Sequence, residues 1–162
     1  MGLKAKKKNK FKNLFKRTLN KLKKSFSSMM GTKPGDIITI GAGGGKIIPV
    51  GGFPLPLGGA FSFDRLITED GKADWFFTLG AGFSTPGYSF AIDRGKSEAQ
   101  TKDDYKGTST SLNIDLAPLG IESCAPGWNP KGFADKINVK KGGLHLGEGI
   151  NYLWNMTIDL GE

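Results

Sequence analysis

The chain has one cysteine, Cys124, and one histidine, His145, among 162 residues. A lone thiol closes no internal disulfide and builds no thiolate cluster, so the fold must hold without cross-links. One imidazole, one thiol and scattered carboxylates offer no ligand spacing for zinc or calcium; no metal and no cofactor is expected. No apolar run approaches the roughly 18 residues of a spanning helix. A secretory signal peptide is not expected either, because interspersed lysines break every apolar stretch near the start. Acid is missing altogether from residues 1–30, which hold eleven Lys or Arg. The other 132 residues hold the remaining 12 bases and all 15 acids, a net charge of −3. The overall +8 therefore describes a basic arm joined to a mildly acidic body.

The arm is patterned. Phe11, Leu14, Phe15, Leu19, Leu22 and Phe26 recur at spacings of three and four, one face of a 3.6-residue helix. Lys10, Lys12, Lys16, Arg17, Lys21, Lys23 and Lys24 fill the rest. The spacing predicts a helix from Lys10 to Met30, stopped by Ser27, Ser28, Gly31 and Pro34. A lysine-rich amphipathic helix suits an anionic membrane surface, with its stripe at the headgroup boundary. It also suits nucleic acid, or packing on the body. Phosphate binding alone requires no stripe of aromatics and leucines, so membrane contact is the leading expectation.

Beyond the arm the texture changes, and 24 of the 25 glycines lie after residue 30. Residues 31–59 read as a Gly/Pro-rich extended segment with two short extended pieces, at Ile37–Ile40 and Lys46–Val50. "GAGGGK" has the composition of a phosphate loop, but Ile47 stands where Ser or Thr is needed. From Ala60 the period is two. Trp75, Phe77, Leu79, Ala81 and Phe83 share one face, with Phe76, Thr78, Gly80 and Gly82 on the other. Tyr88, Phe90 and Ile92 continue the pattern, as do Leu112, Ile114 and Leu116, and Ile150 to Leu160. Asp70-Gly71 marks a turn, residues 94–107 a polar loop, and Phe133–Val139 a further strand. No body segment has a helical period. The expected fold is mainly β: residues 60–162 as an antiparallel, Gly-rich barrel or compact sandwich behind an N-terminal basic amphipathic helix. The second face of each strand is small or polar, which suits either a tightly curled sheet or one wet face.

Candidates for chemistry are few. His145 alternates with Leu144 and Leu146, and Glu148 is near enough in sequence for an acid/base pair. A single histidine on the polar face of a strand is more often structural. Cys124 falls in an expected loop. Arg65, the triplet Ser109-Thr110-Ser111 and Glu148 occur in the order seen in mono-ADP-ribosyltransferases of the Arg, Ser-Thr-Ser, Glu-x-Glu type. Gly149-Ile150 follow Glu148, so the paired acid is missing, and alternating Ser and Thr are ordinary strand residues. An enzymatic alternative, ADP-ribosyl transfer or NAD hydrolysis, would rest on Arg65, Ser109, Ser111, His145 and Glu148.

The stretches "GGAFSFD", "FFTLGAGFSTPG", "YKGTSTSLNIDLAPLGIE" and "GGLHLGEGINYLWN" are similar in texture to the variable C-terminal toxin domains of bacterial Rhs/YD-repeat polymorphic toxins. Gly2-Leu3 matches the end of the D-P-x-G-L signature at which such tails are released. The resemblance implies a toxin or effector freed from an Rhs shell, carried by a secretion system into a target cell and paired with an immunity protein. It does not choose an activity. The residues supply no nuclease or deaminase constellation. They supply a cationic amphipathic arm and strands with one apolar face, so the expectation is a chain that binds anionic lipids and permeabilises, or depolarises, a target membrane. Trp75–Phe83 and Ile150–Leu160 reach the about 9–11 residues a strand needs to cross a bilayer. A non-catalytic module with a nucleic-acid-binding tail is the third reading.

Overall fold

The computed structural model describes residues 9, 10, 12–14, 16, 17, 33–128 and 133–161. The chain divides at residue 30 into an arm and a β unit. In the arm, Asn9, Lys10, Lys12, Asn13, Leu14, Lys16 and Arg17 have helical backbone and exposed side chains. The rest of the expected basic helix, including Phe11, Phe15, Leu19, Leu22, Phe26, Lys21, Lys23 and Lys24, lies outside the described residues.

The β unit is a closed antiparallel barrel of eight strands. In chain order they are β1 (Asp36–Val50), β2 (Phe53–Ile67), β3 (Ala73–Ser84), β4 (Gly87–Ser97), β5 (Gly107–Leu116), β6 (Leu119–Pro126), β7 (Val139–Leu146) and β8 (Glu148–Gly161). Around the wall they run β1-β2-β3-β8-β5-β6-β7-β4. Of the two expected forms, barrel and sandwich, the chain adopts the barrel. Two one-turn helices, α1 (Lys102–Tyr105) and α2 (Phe133–Lys136), sit in the connections. Thr101 caps α1 by accepting from the Asp104 amide at 3.1 Å.

The ladder fixes the dimensions. From Gly41, pairing runs through Ser62, Thr78 and Thr157 to Gly107 on β5, which carries Ile40 to position 106. The other way round, Ile40 pairs through Ile92, Leu144 and Leu119 to Leu116. The two routes differ by ten residues. Eight strands with a stagger of ten tilt by about 43° and give a backbone radius of about 8 Å. Such an interior is filled by side chains rather than left as a bore.

Sequence boundaries shift in four places. Residues 31–59 are not a separate segment: β1 is continuous from Asp36 to Val50, and β2 begins at Phe53. Glycine spacing masked the strand. A side chain at Gly45 would meet the Thr85 carbonyl at 2.3 Å and Ser84 Oγ at 2.5 Å, so the close approach of β1 to the β3–β4 turn excludes one. The expected loop 94–107 instead extends β4 to Ser97 and then forms α1. The strand expected over Phe133–Val139 is α2 followed by β7, which starts at Val139. Cys124 is on β6, not in a loop.

The two ends of the barrel differ. At the end we call upper, the turns are residues 51–52, 85–86, 117–118 and 147. None contains a charge. At the lower end the connections are 68–72, 98–106 and 127–138, and they carry the charged side chains. The β1–β2 hairpin outgrows the wall. β1 leaves β4 after Gly45 and β2 meets β3 only from Leu57, so residues 46–56 project as a free two-stranded tip.

Candidate functional site: a polar lumen inside an apolar wall

Period two puts one face of every strand inside. That face is the small and polar one. Asp64 and Thr78 point in, while Phe63 and Phe77, one step along, point out with rings 5.2 Å apart. The outer wall is apolar over its upper part: Phe61, Leu79, Phe83, Phe90, Leu144 and Ile150 are all exposed. Tyr88 is 93% exposed and Phe53, at the hairpin tip, 73%. On β8 the apolar outer row runs from Ile150 to Leu160, about 33 Å of strand and about 24 Å of barrel height. On the β4–β7 side it ends sooner, at Ile92, above exposed Arg94 and Lys140. Water-soluble barrels place these faces the other way round.

The lumen holds two connected polar clusters. In the lower one Asp64 accepts from Thr39 Oγ1 at 2.6 Å, Tyr105 Oη at 2.9 Å and Thr78 Oγ1 at 3.1 Å. Lys141 Nζ donates to Thr39 Oγ1 at 2.8 Å and stands 3.2 Å from Glu122 and 3.8 Å from Asp64. Tyr105 comes from α1 and reaches up from the lower end. Burial, with the Asp64 carboxylate beside it, holds its phenol well above the usual range, so it stays a donor. Below this cluster Ile37, Leu66, Phe76 and Val139 pack together with Tyr105 and Cys124 and form an apolar layer of the interior. Cys124 Sγ faces Glu122 at 3.3 Å.

In the upper cluster His145 is 2% exposed and sits between two carboxylates. Its Nε2 is 2.6 Å from Asp93, and its Nδ1 contacts Asp115. Two ring nitrogens facing two carboxylates require two protons among the three groups, either on imidazolium or on imidazole plus one carboxylic acid. Asn151 Nδ2 donates to Asp115 at 3.3 Å. Room for the ring comes from Gly120: a Cβ there would lie 2.1 Å from His145 Nδ1. The lumen thus carries Asp64, Asp93, Asp115 and Glu122 against Lys141 and His145, an excess of carboxylate in a shielded space.

Two small chambers lie along the lumen. The lower, about 40 Å³, is lined by Ser62, Asp64, Thr78, Tyr105, Glu122 and Lys141, and reaches Asp104 in the lower connection. The upper, about 60 Å³, is lined by Asp93, Asn113, Asp115, Glu122, His145 and Asn151. Each has room for a few waters. Asn113 Oδ1 is buried without a protein hydrogen-bond partner among the described residues.

The residues of the enzymatic alternative do not converge. Ser109, Ser111 and His145 face inward, but Ser111 is bonded by Asn155 Nδ2 at 2.9 Å and His145 is enclosed by its two aspartates. Arg65 pairs with Ile38 and Trp75 near the lower end, and Glu148 is exposed at the start of β8 on the upper end. Sequence reasoning picked out His145 and missed Asp64, Asp93, Asp115, Glu122 and Lys141. For the four acids the available signal was an apolar neighbour one step along the strand, at Phe63, Ile92, Ile114 and Ile121; Lys141, between Lys140 and Gly142, carries no such signal. Among the described residues no group of three or more His, Cys, Asp or Glu is placed to hold a metal ion. Comparison with protein-family models, curated proteins and solved structures finds no match to the chain.

Proposed function

We propose that the β unit is a bilayer-embedded barrel and that the chain acts on the membrane of a target cell, held at an anionic leaflet by its basic arm. One observation carries this reading: Asp64, Asp93, Asp115, Glu122, Lys141 and His145 face in, while the upper part of the outer wall is aromatic and aliphatic. Lipid satisfies an apolar exterior, and a closed barrel leaves no unpaired strand edge, the requirement for any β structure in hydrocarbon. The end asymmetry agrees, with turns of two residues or fewer above and longer charged connections below. The projecting hairpin agrees too: Ile47, Ile48, Val50 and Phe53 leave it apolar with no core to cover it. Arg94 and Lys140 lie roughly 10 Å above Leu160, close to the middle of the β8 row, so on the β4–β7 side the apolar belt is shorter and their long side chains must snorkel to reach headgroups. Among the described residues no helix is long and apolar enough to cross a membrane.

The similarity to Rhs toxin tails supplies the setting of this proposal: delivery into a rival cell, with an immunity protein to protect the producer. Enzymatic action has less support, because Arg65 and Glu148 stand at opposite ends of the barrel. The test is flotation with liposomes of anionic phospholipid, followed by carbonate extraction and protease treatment. The barrel should stay with the vesicles and yield a protected fragment starting near residue 33. Full release by carbonate would refute embedding.

A further inference from the structure

We propose that the lumen is a proton path along the barrel axis. The inference rests on the bilayer reading above and gives it an activity: depolarisation by protons rather than by an open pore. The lumen is too full for a hydrated ion, since a backbone radius of about 8 Å leaves only chambers of a few waters each. A proton needs no bore. It needs groups that accept and release it at hydrogen-bond spacing or across one water, and ionisable side chains within a membrane protein are where such relays are built.

The groups follow one another along the axis through both chambers. At the upper end Asp115 contacts His145 Nδ1, and His145 Nε2 is 2.6 Å from Asp93. Asp93 and Glu122 both line the upper chamber, and Glu122 also lines the lower one, so Glu122 is common to the two. Asn113 Oδ1, buried and without a protein partner among the described residues, offers a water in the upper chamber a hydrogen bond. In the lower chamber Glu122 faces Asp64, whose donors are Thr39, Thr78 and Tyr105. The chamber then opens towards Asp104 at the charged end.

Around His145 the facing groups are Asp93 from β4, Asp115 from β5, Glu122 from β6 and Asn151 from β8, with Lys141 four residues away on its own strand. Lys141 lies against Glu122 and Thr39, and four carboxylates outnumber the two bases. In a poorly solvated lumen that excess favours uptake of further protons. Each transfer breaks one O–H or N–H bond and forms another. The net event is one proton in at one end and one out at the other, with no oxidant, reductant or leaving group.

The test uses the full chain in liposomes loaded with a pH-sensitive dye, with a potassium gradient and valinomycin setting the voltage. Insertion is read in parallel by protease protection. Inserted protein should acidify or alkalinise the lumen according to the sign of the voltage, while a trapped anionic dye stays inside. Glu122→Gln should insert and slow the proton flux by about tenfold or more, since it removes the group common to both chambers. Should that variant not insert, the native chain decides alone: in planar bilayers its reversal potential should follow the pH gradient and ignore potassium. Inserted protein with no proton flux above empty vesicles overturns the proton path and leaves the embedded barrel standing. Release of the trapped dye overturns it in favour of a wide pore. Failure to insert removes both.

Discussion

Leu144→Arg separates a lipid-facing wall from a water-facing one. Leu144 is on the outer face of β7, 48% exposed, paired with Ile92 on one side and Leu119 on the other. On the ladder it lies about 4 Å below Ile150, in the upper half of the apolar belt. If the outer face meets hydrocarbon, an arginine at that depth costs about 2 kcal/mol, the low end of the midplane range. The exposed half of the leucine adds about 1 kcal/mol, half of a full burial. The expected loss is therefore roughly 3 kcal/mol. If the same face meets water, a surface substitution changes stability by no more than about 0.5 kcal/mol. Leu160→Arg is the depth control. Leu160 lies at the lower rim beside Asp159, where the cost in lipid falls to about 0–1 kcal/mol. The assay is reversible urea unfolding in phospholipid vesicles, read by tryptophan fluorescence. A large loss at 144 with a small one at 160 is expected; equal, small losses at both would refute the lipid-facing wall.

Packing inside the lumen gives further predictions. Gly120→Ala should displace His145 and destabilise strongly, because its Cβ would lie 2.1 Å from the ring; Gly142→Ala, whose nearest neighbour would be 3.4 Å away, should be tolerated, and thermal melts compare the two. Tyr105→Phe leaves Asp64 with one donor fewer and should cost about 1.5–3 kcal/mol in urea melts, the range for a hydrogen bond to a charged group. Removing residues 1–30 takes away eleven basic residues, each worth about 1 kcal/mol near an anionic surface, so vesicle binding should fall sharply and the salt dependence of binding should vanish with it. Retention of that salt-sensitive binding by the truncated chain would contradict the role given to the arm.

The barrel was legible in the sequence because period two is a strong signal wherever large and small residues alternate, as from Trp75 to Phe83. It faded where both faces carry glycine. Gly41 and Gly43–Gly45 hid the middle of β1, since neither face there shows a large side chain. Which face lay inside could not be read from alternation alone, because a wet lumen and a wet exterior give the same pattern. Closure decided it: at this stagger the interior is narrow, and His145 and Asp93 fit there only because Gly120 and Gly143 oppose them without side chains. The clusters were illegible for a related reason. Asp64 and Lys141 are 77 positions apart and His145 and Asp115 thirty, and only the ladder brings them together.

Spin-label accessibility along β8 tests the central claim most directly. Single labels at positions 150–158 of the vesicle-bound chain, with Cys124→Ser as background, are relaxed by either dissolved oxygen or a polar nickel complex. The account predicts that Ile150, Tyr152, Trp154, Met156 and Ile158 favour oxygen, with their alternate neighbours shielded from both. Preference for nickel at those five positions would contradict it.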